Sequence, residues 1–100
     1  MADTEKIVAV WISGSVQGVG FRAFVQREAE CLGVSGFVRN RVNGDVEALF
    51  AGTIEAVDAL VAACRSGPAR ARIAHIAVYE PEADALAELP PLGFHLLPSV

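Results

Sequence analysis

The chain has 100 residues, a net charge of −4 and 53% hydrophobic residues. That is the size of one packed domain, spanning 1–100, and the apolar content excludes a disordered chain. An acidic balance disfavours a nucleic-acid partner, and no run of about 18 apolar residues is present to cross a membrane as a helix. The N-terminal stretch MADTEKIVAV lacks the positive flank of a secretory signal, so cytoplasm is the expected compartment. A monomer is the expected state.

Residues 7–13, IVAVWIS, are a nearly continuous apolar and β-branched run, which predicts a central strand. GSVQGVG at 14–20 has three glycines in seven positions and reads as a loop. Over 21–32, Phe21, Phe24, Val25, Ala29 and Leu32 recur at spacings of three and four, an amphipathic helix that Gly33 stops. Between 36 and 51 two strand-like stretches flank Asn43-Gly44, the preferred pair for a type I′ turn, which predicts a β-hairpin.

A second helix is expected from Thr53 to Ser66, with Thr53 as its cap and Glu55 at its positive end. Its buried stripe would be Ile54, Val57, Leu60, Val61 and Cys64, and Gly67-Pro68 ends it. RIAHIAVY at 72–79 predicts a fourth strand. Residues 81–92, with three prolines and several acids, read as a solvated connection, and Phe94–Leu97 as a short edge strand. The order β-α-β-β-α-β plus a short β predicts an α+β fold of the ferredoxin-like, split βαβ kind, with an antiparallel sheet and two helices on one face.

The sharpest feature is the sequence strand, glycine-rich loop, Phe21-Arg22, helix. Amides at a helix start lack intrahelical partners, and the macrodipole adds positive charge there, so such a loop can hold a phosphate. A guanidinium beside it can bind two phosphate oxygens at once. The same residues also suit a tight chain reversal with Arg22 in solvent. GVGFR has neither the third glycine of a dinucleotide site nor the GK[ST] of a P-loop.

Asn40 sits near the end of a strand, where asparagine is unfavourable, and its amide could hold a water by its oxygen beside a phosphate. It also suits a strand end bonding to its own turn. Arg39 and Arg41 alternate with it and should point to the other face, solvated. His75 and His95 lack a paired carboxylate and read as structural, and Trp11 and Tyr79 as core or sheet-face aromatics. Cys31 and Cys64 read as two buried, reduced thiols. Neither begins a C-x5-R signature, and no metal-ligand cluster is visible, so neither a cysteinyl-phosphate route nor a metal or other cofactor is expected.

From Trp11 to Gly52 the chain resembles the acylphosphatases. GSVQGVGFR at 14–22 is similar to that family's phosphate-loop signature, and LGVSGFVRNRVNGDVEALFAG at 32–52 to its second signature. GPARARI at 67–73 is similar to the segment entering the family's fourth strand. The resemblance implies metal-independent hydrolysis of a small-molecule acyl phosphate. It implies that the backbone of Ser15, Val16, Gln17, Gly18, Val19 and Gly20 cradles the phosphate, that Arg22 binds it and that Asn40 positions the water. Ala23-Phe24 stand where polar residues or histidine are frequent, and Phe37 where tryptophan is usual. These should alter packing and leave the chemistry. The alternatives are a non-catalytic anion- or RNA-binding module of the same fold, and the N-terminal domain of a larger hydrogenase-maturation carbamoyltransferase. GFVRN lacks an RNP1-like run and the zinc-finger cysteines of the larger protein are missing, so a free-standing enzyme is expected.

Overall fold

The computed structural model describes residues 5–100. The elements run β1 (Glu5–Ser15), α1 (Phe21–Leu32), β2 (Ser35–Asn40), β3 (Val46–Thr53), α2 (Ile54–Ser66), β4 (Arg72–Tyr79), α3 (Ala83–Ala87) and β5 (Phe94–Leu96). The strands form one sheet in the order β4-β1-β3-β2-β5. The first four pair antiparallel, with Val10 opposite Ala48 and Val38 also opposite Ala48, while β5 lies parallel to β2 at the edge. This is the expected split βαβ arrangement.

Period-2 alternation decides the two faces of the sheet. Val8, Val10 and Ile12 of β1, Val38 of β2 and Val46, Ala48 and Phe50 of β3 meet Phe21, Val25 and Ala29 of α1 and Val57, Leu60 and Cys64 of α2. Each large apolar side chain buried here stabilises by about 1.5–3 kcal/mol relative to exposure. Thr53 caps α2 as expected, accepting from the Ala56 amide at 3.1 Å. Phe94 anchors β5 to this core against Phe50, ring centroids 6.0 Å apart.

The opposite face is covered too. Ala9, Phe37 and Leu49 are buried there beneath Ala85, Leu89 and Leu97. The segment expected to be a solvated connection therefore folds back on the sheet through the short helix α3. Its apolar residues are interrupted by prolines and acids, so no helical or strand period reveals the covering side. Phe37, where the family resemblance led one to expect tryptophan, is the centre of this smaller core and fully buried.

Arg39 is likewise buried, at 5% exposure, which corrects the solvated reading. It does point away from Asn40, but onto the covered face. There it donates to Glu88, lies 3.5 Å from Glu47, and stacks over the Phe37 ring at 5.0 Å. Arg41 is half-buried, donating to Glu47 at 3.0 Å and covering the Trp11 ring at 5.4 Å. The charges are tolerated because each meets a carboxylate and an aromatic face.

The hairpin forms, but with a different turn. Val42 and Asn43 keep negative φ, and Gly44 alone is left-handed at φ 100°. The Gly44 amide donates to the Arg41 carbonyl at 3.1 Å, and the Arg41 amide to the Asp45 carbonyl at 2.8 Å. That is a three-residue loop closed by a glycine bulge, in place of the two-residue type I′ turn. Asp45 holds this loop from both sides: its amide donates to the Asn43 side-chain oxygen at 3.0 Å, and its carboxylate accepts from the Trp11 indole at 2.6 Å. The two thiols stand free, Cys64 buried but Cys31 exposed. The buried stripe of α1 is Phe21, Val25 and Ala29, and two further residues turn Cys31 about 200° away from it.

Candidate active site

The site is built where α1 begins beside the end of β2. Gly20 is the N-cap of α1, in the left-handed region at φ 80°, and no side chain caps the helix. The first turn has no acidic residue. Its amides are therefore left to whatever lies in front of them. Gly18 is also left-handed, at φ 75°, and a Cβ on either glycine would meet nothing within 4 Å. These glycines thus serve the backbone path, and they leave the peptide edge open to a ligand.

Arg22 stands in the first turn of α1, half-buried. Among the described residues no carboxylate lies within 4 Å of it. A cation at the positive end of a helix without a partner is electrostatically misplaced unless an anion comes to it. Asn40 ends β2 on the helix-facing side of the sheet, which the alternation with buried Arg39 requires. Its Oδ1 is buried, and among the described residues no donor reaches it. An unsatisfied buried amide oxygen costs about 1–3 kcal/mol, so the position carries a cost that folding alone does not explain.

Arg22 and Asn40 line one hollow of about 160 Å³, together with Val16, Gly18, Gly20, Phe21, Ala23 and Leu96. Of the loop residues proposed to cradle a phosphate, Val16, Gly18 and Gly20 are at the hollow. Val16 directs its side chain into the core, at 1% exposure, and so offers only its backbone. Ser15 ends β1 and pairs with Arg72 of β4. Gln17 sends its side chain to the β2–β3 hairpin. Ser15, Gln17 and Val19 are not among the residues lining the hollow. The sequence reading missed Leu96. It arrives from β5, whose parallel pairing with β2 brings Leu96 opposite Val38. The only signal was its apolar character in a short C-terminal strand.

Two larger hollows lie elsewhere, of about 340 and 350 Å³. The first holds Lys6, already bonded to Asp58 at 2.7 Å, and the second is rich in carboxylates from Glu47, Glu82, Asp84 and Glu88. The carboxylates of the second repel a phosphate, and the first, although Arg65 also lines it, has no glycine loop or helix start among its lining residues. His75 is exposed on β4, and exposed His95 bonds through its ring to the Leu92 carbonyl at 2.9 Å. Neither lines the cleft. Trp11 and Tyr79 lie on the sheet face away from it, at the carboxylate-rich hollow. Among the described residues no three His, Cys, Asp or Glu side chains gather as a metal site, and no helix is long and apolar enough to cross a membrane.

The acylphosphatase family model matches residues 8–88. An acylphosphatase of Azorhizobium caulinodans is 54% identical over 82 residues, which is 82% of this chain and 82% of that one. The crystal structure of the Bacillus subtilis acylphosphatase is similar with a TM-score of 0.79 and 34% identity, over 91% of this chain and 97% of that one. The acylphosphatase of Coxiella burnetii gives 0.83 and 29%, over 96% of both chains. A left-handed glycine loop, an unpaired arginine and an unsatisfied strand-end asparagine thus sit within a matched sequence and a matched fold, and the chain belongs to the acylphosphatase family.

Proposed function

We propose that the Arg22–Asn40 cleft is where this acylphosphatase splits its substrate, a small carboxyl-phosphate mixed anhydride, into carboxylate and inorganic phosphate. The observation that carries the reading is the buried, unpartnered Oδ1 of Asn40 in the same hollow as the unpaired Arg22. The guanidinium and the amides at Gly18, Gly20 and the start of α1 grip the phosphoryl oxygens. Oδ1 accepts a hydrogen bond from a water and holds it in line with the bond that breaks.

The water oxygen bonds to phosphorus as the bond from phosphorus to the acyl oxygen breaks. The pair in that bond leaves on the carboxylate, and the water's proton passes to a phosphoryl oxygen. A carboxylate is a good leaving group, so the transition state is loose and needs position and charge stabilisation more than a protein base. That accounts for a cleft with no histidine in its lining. No metal is required by this scheme. The sheet face that an RNA platform would need is occupied by Ala85, Leu89 and Leu97, which weighs against the RNA-binding reading.

The test is hydrolysis of benzoyl phosphate in EDTA by the native protein and by Asn40→Ala. Native activity should survive the chelator. The variant should lose on the order of 100-fold in kcat, the scale of removing one preorganised polar group, with little change in inhibition by inorganic phosphate. Turnover by Asn40→Ala at the native rate would remove Asn40 from the mechanism.

A further inference from the structure

The side chain of Gln17 leaves the glycine loop and crosses to the hairpin that follows Asn40. Its Nε2 donates to the Arg41 carbonyl at 2.7 Å and to the Asp45 carbonyl at 2.8 Å. Both acceptors are carbonyls, so only the amide nitrogen can face them, and the orientation of the carboxamide follows from chemistry. The same two carbonyls already close the turn, accepting from the Gly44 and Arg41 amides. One half-buried side chain therefore spans the neck of the hairpin, touching both strand ends at once.

The two ends of this strap are at the cleft. Gln17 precedes Gly18, and Arg41 follows Asn40; Gly18 and Asn40 both line the hollow. Without the strap, the loop that grips phosphate and the strand that holds water would be joined there only through packing. We propose that Gln17 is a positioning residue: it keeps the Asn40 carboxamide in register with the phosphate loop and so sets the line along which water attacks. The proposal deepens the reading of Asn40 given above and rests on it. A displacement of about 1 Å in such an arrangement can cost 100-fold in rate, so two hydrogen bonds that fix it matter to turnover more than to binding.

Two substitutions test this. Gln17→Glu keeps the shape but turns an oxygen toward the two carbonyls; Gln17→Met keeps the length and gives up both hydrogen bonds without adding charge. Each should lower kcat for benzoyl phosphate about tenfold or more while the inhibition constant of inorganic phosphate moves less than about threefold. In an Asn40→Ala background the same changes should lower the residual kcat less than about twofold, because a residue that acts through Asn40 has nothing left to act on. Urea midpoints taken alongside identify the folded variants, and Gln17→Met carries the comparison if Gln17→Glu does not fold. An unchanged kcat, a parallel loss of kcat and phosphate affinity, or a full loss repeated in the Asn40→Ala background would overturn the proposal alone. A native rate for Asn40→Ala by itself would overturn the reading of the site and the proposal with it.

Discussion

Arg39 in β2 and Glu88, the residue that ends α3, form an ion pair across the covered face of the sheet. Arg39 is 5% exposed, whereas the Glu88 side chain keeps 49% of its surface in water. The partners therefore differ in what their loss leaves behind. Glu88→Ala strands a buried guanidinium with only Glu47 at 3.5 Å, and should destabilise by about 1–3 kcal/mol. Arg39→Met leaves Glu88 to water and Glu47 to Arg41, and should cost less. Urea denaturation of the two variants checks the order; a larger loss for Arg39→Met would show that the guanidinium's packing on Phe37 outweighs its charge.

Arg22 offers a fork of donors as well as a charge. Arg22→Ala should lose about 2–4 kcal/mol of transition-state stabilisation for benzoyl phosphate, read as kcat/KM. Arg22→Lys should fall between it and the native protein, since the charge stays and the bidentate geometry goes. Inhibition by inorganic phosphate should weaken in the same order, in contrast to Asn40→Ala.

Leu96 forms an apolar wall of the cleft and is 42% exposed, so it stands where the acyl part of a substrate can meet it. Leu96→Ser should raise KM for benzoyl phosphate about fivefold, equivalent to roughly 1 kcal/mol of lost apolar contact. KM for acetyl phosphate should change less. Equal changes for both substrates would place the benzoyl ring elsewhere.

The two thiols should behave differently. Burial, with a smaller contribution from the charge of Glu28, pushes the Cys64 thiol up to about 12. Below its ordinary value near 9 the thiol is protonated whether the chain is folded or not, and stability is complete. As pH rises from 9 toward 12 the unfolded chain ionises and the folded one does not, so stability falls through that window. Urea midpoints at pH 8 and 10 should show this slope in the native protein and a reduced one in Cys64→Ala. Tyr79, raised by burial and by Glu47 and Glu82, begins to contribute only near pH 10. A thiol reagent at pH 8 should label Cys31 alone until the chain is unfolded.

The sequence by itself determined the two long helices and the four main strands, and it singled out Arg22 and Asn40, which the fold brings to one hollow. These follow from local rules: stripes at spacings of three and four, alternation with period two, glycines where the backbone must turn. The same alternation put Asn40 on the opposite face from Arg39, and helix periodicity applied to Phe21, Val25 and Ala29 would have placed Cys31 in solvent. Tertiary structure decided the rest. Which face the 81–97 segment covers, that Arg39 is buried against Glu88, that β5 carries Leu96 to the cleft, and that Gln17 reaches Arg41 all depend on contacts between residues far apart in sequence, 24 positions for Gln17 and Arg41 and 49 for Arg39 and Glu88, or on a parallel pairing that no turn announces. Even the turn at Asn43-Gly44 belongs here, because the bonds of Asp45 to Trp11 and of its carbonyl to Gln17 favour a loop one residue longer than the dipeptide alone prefers. Periodicity records which side of an element is apolar; it holds no record of what arrives to cover it.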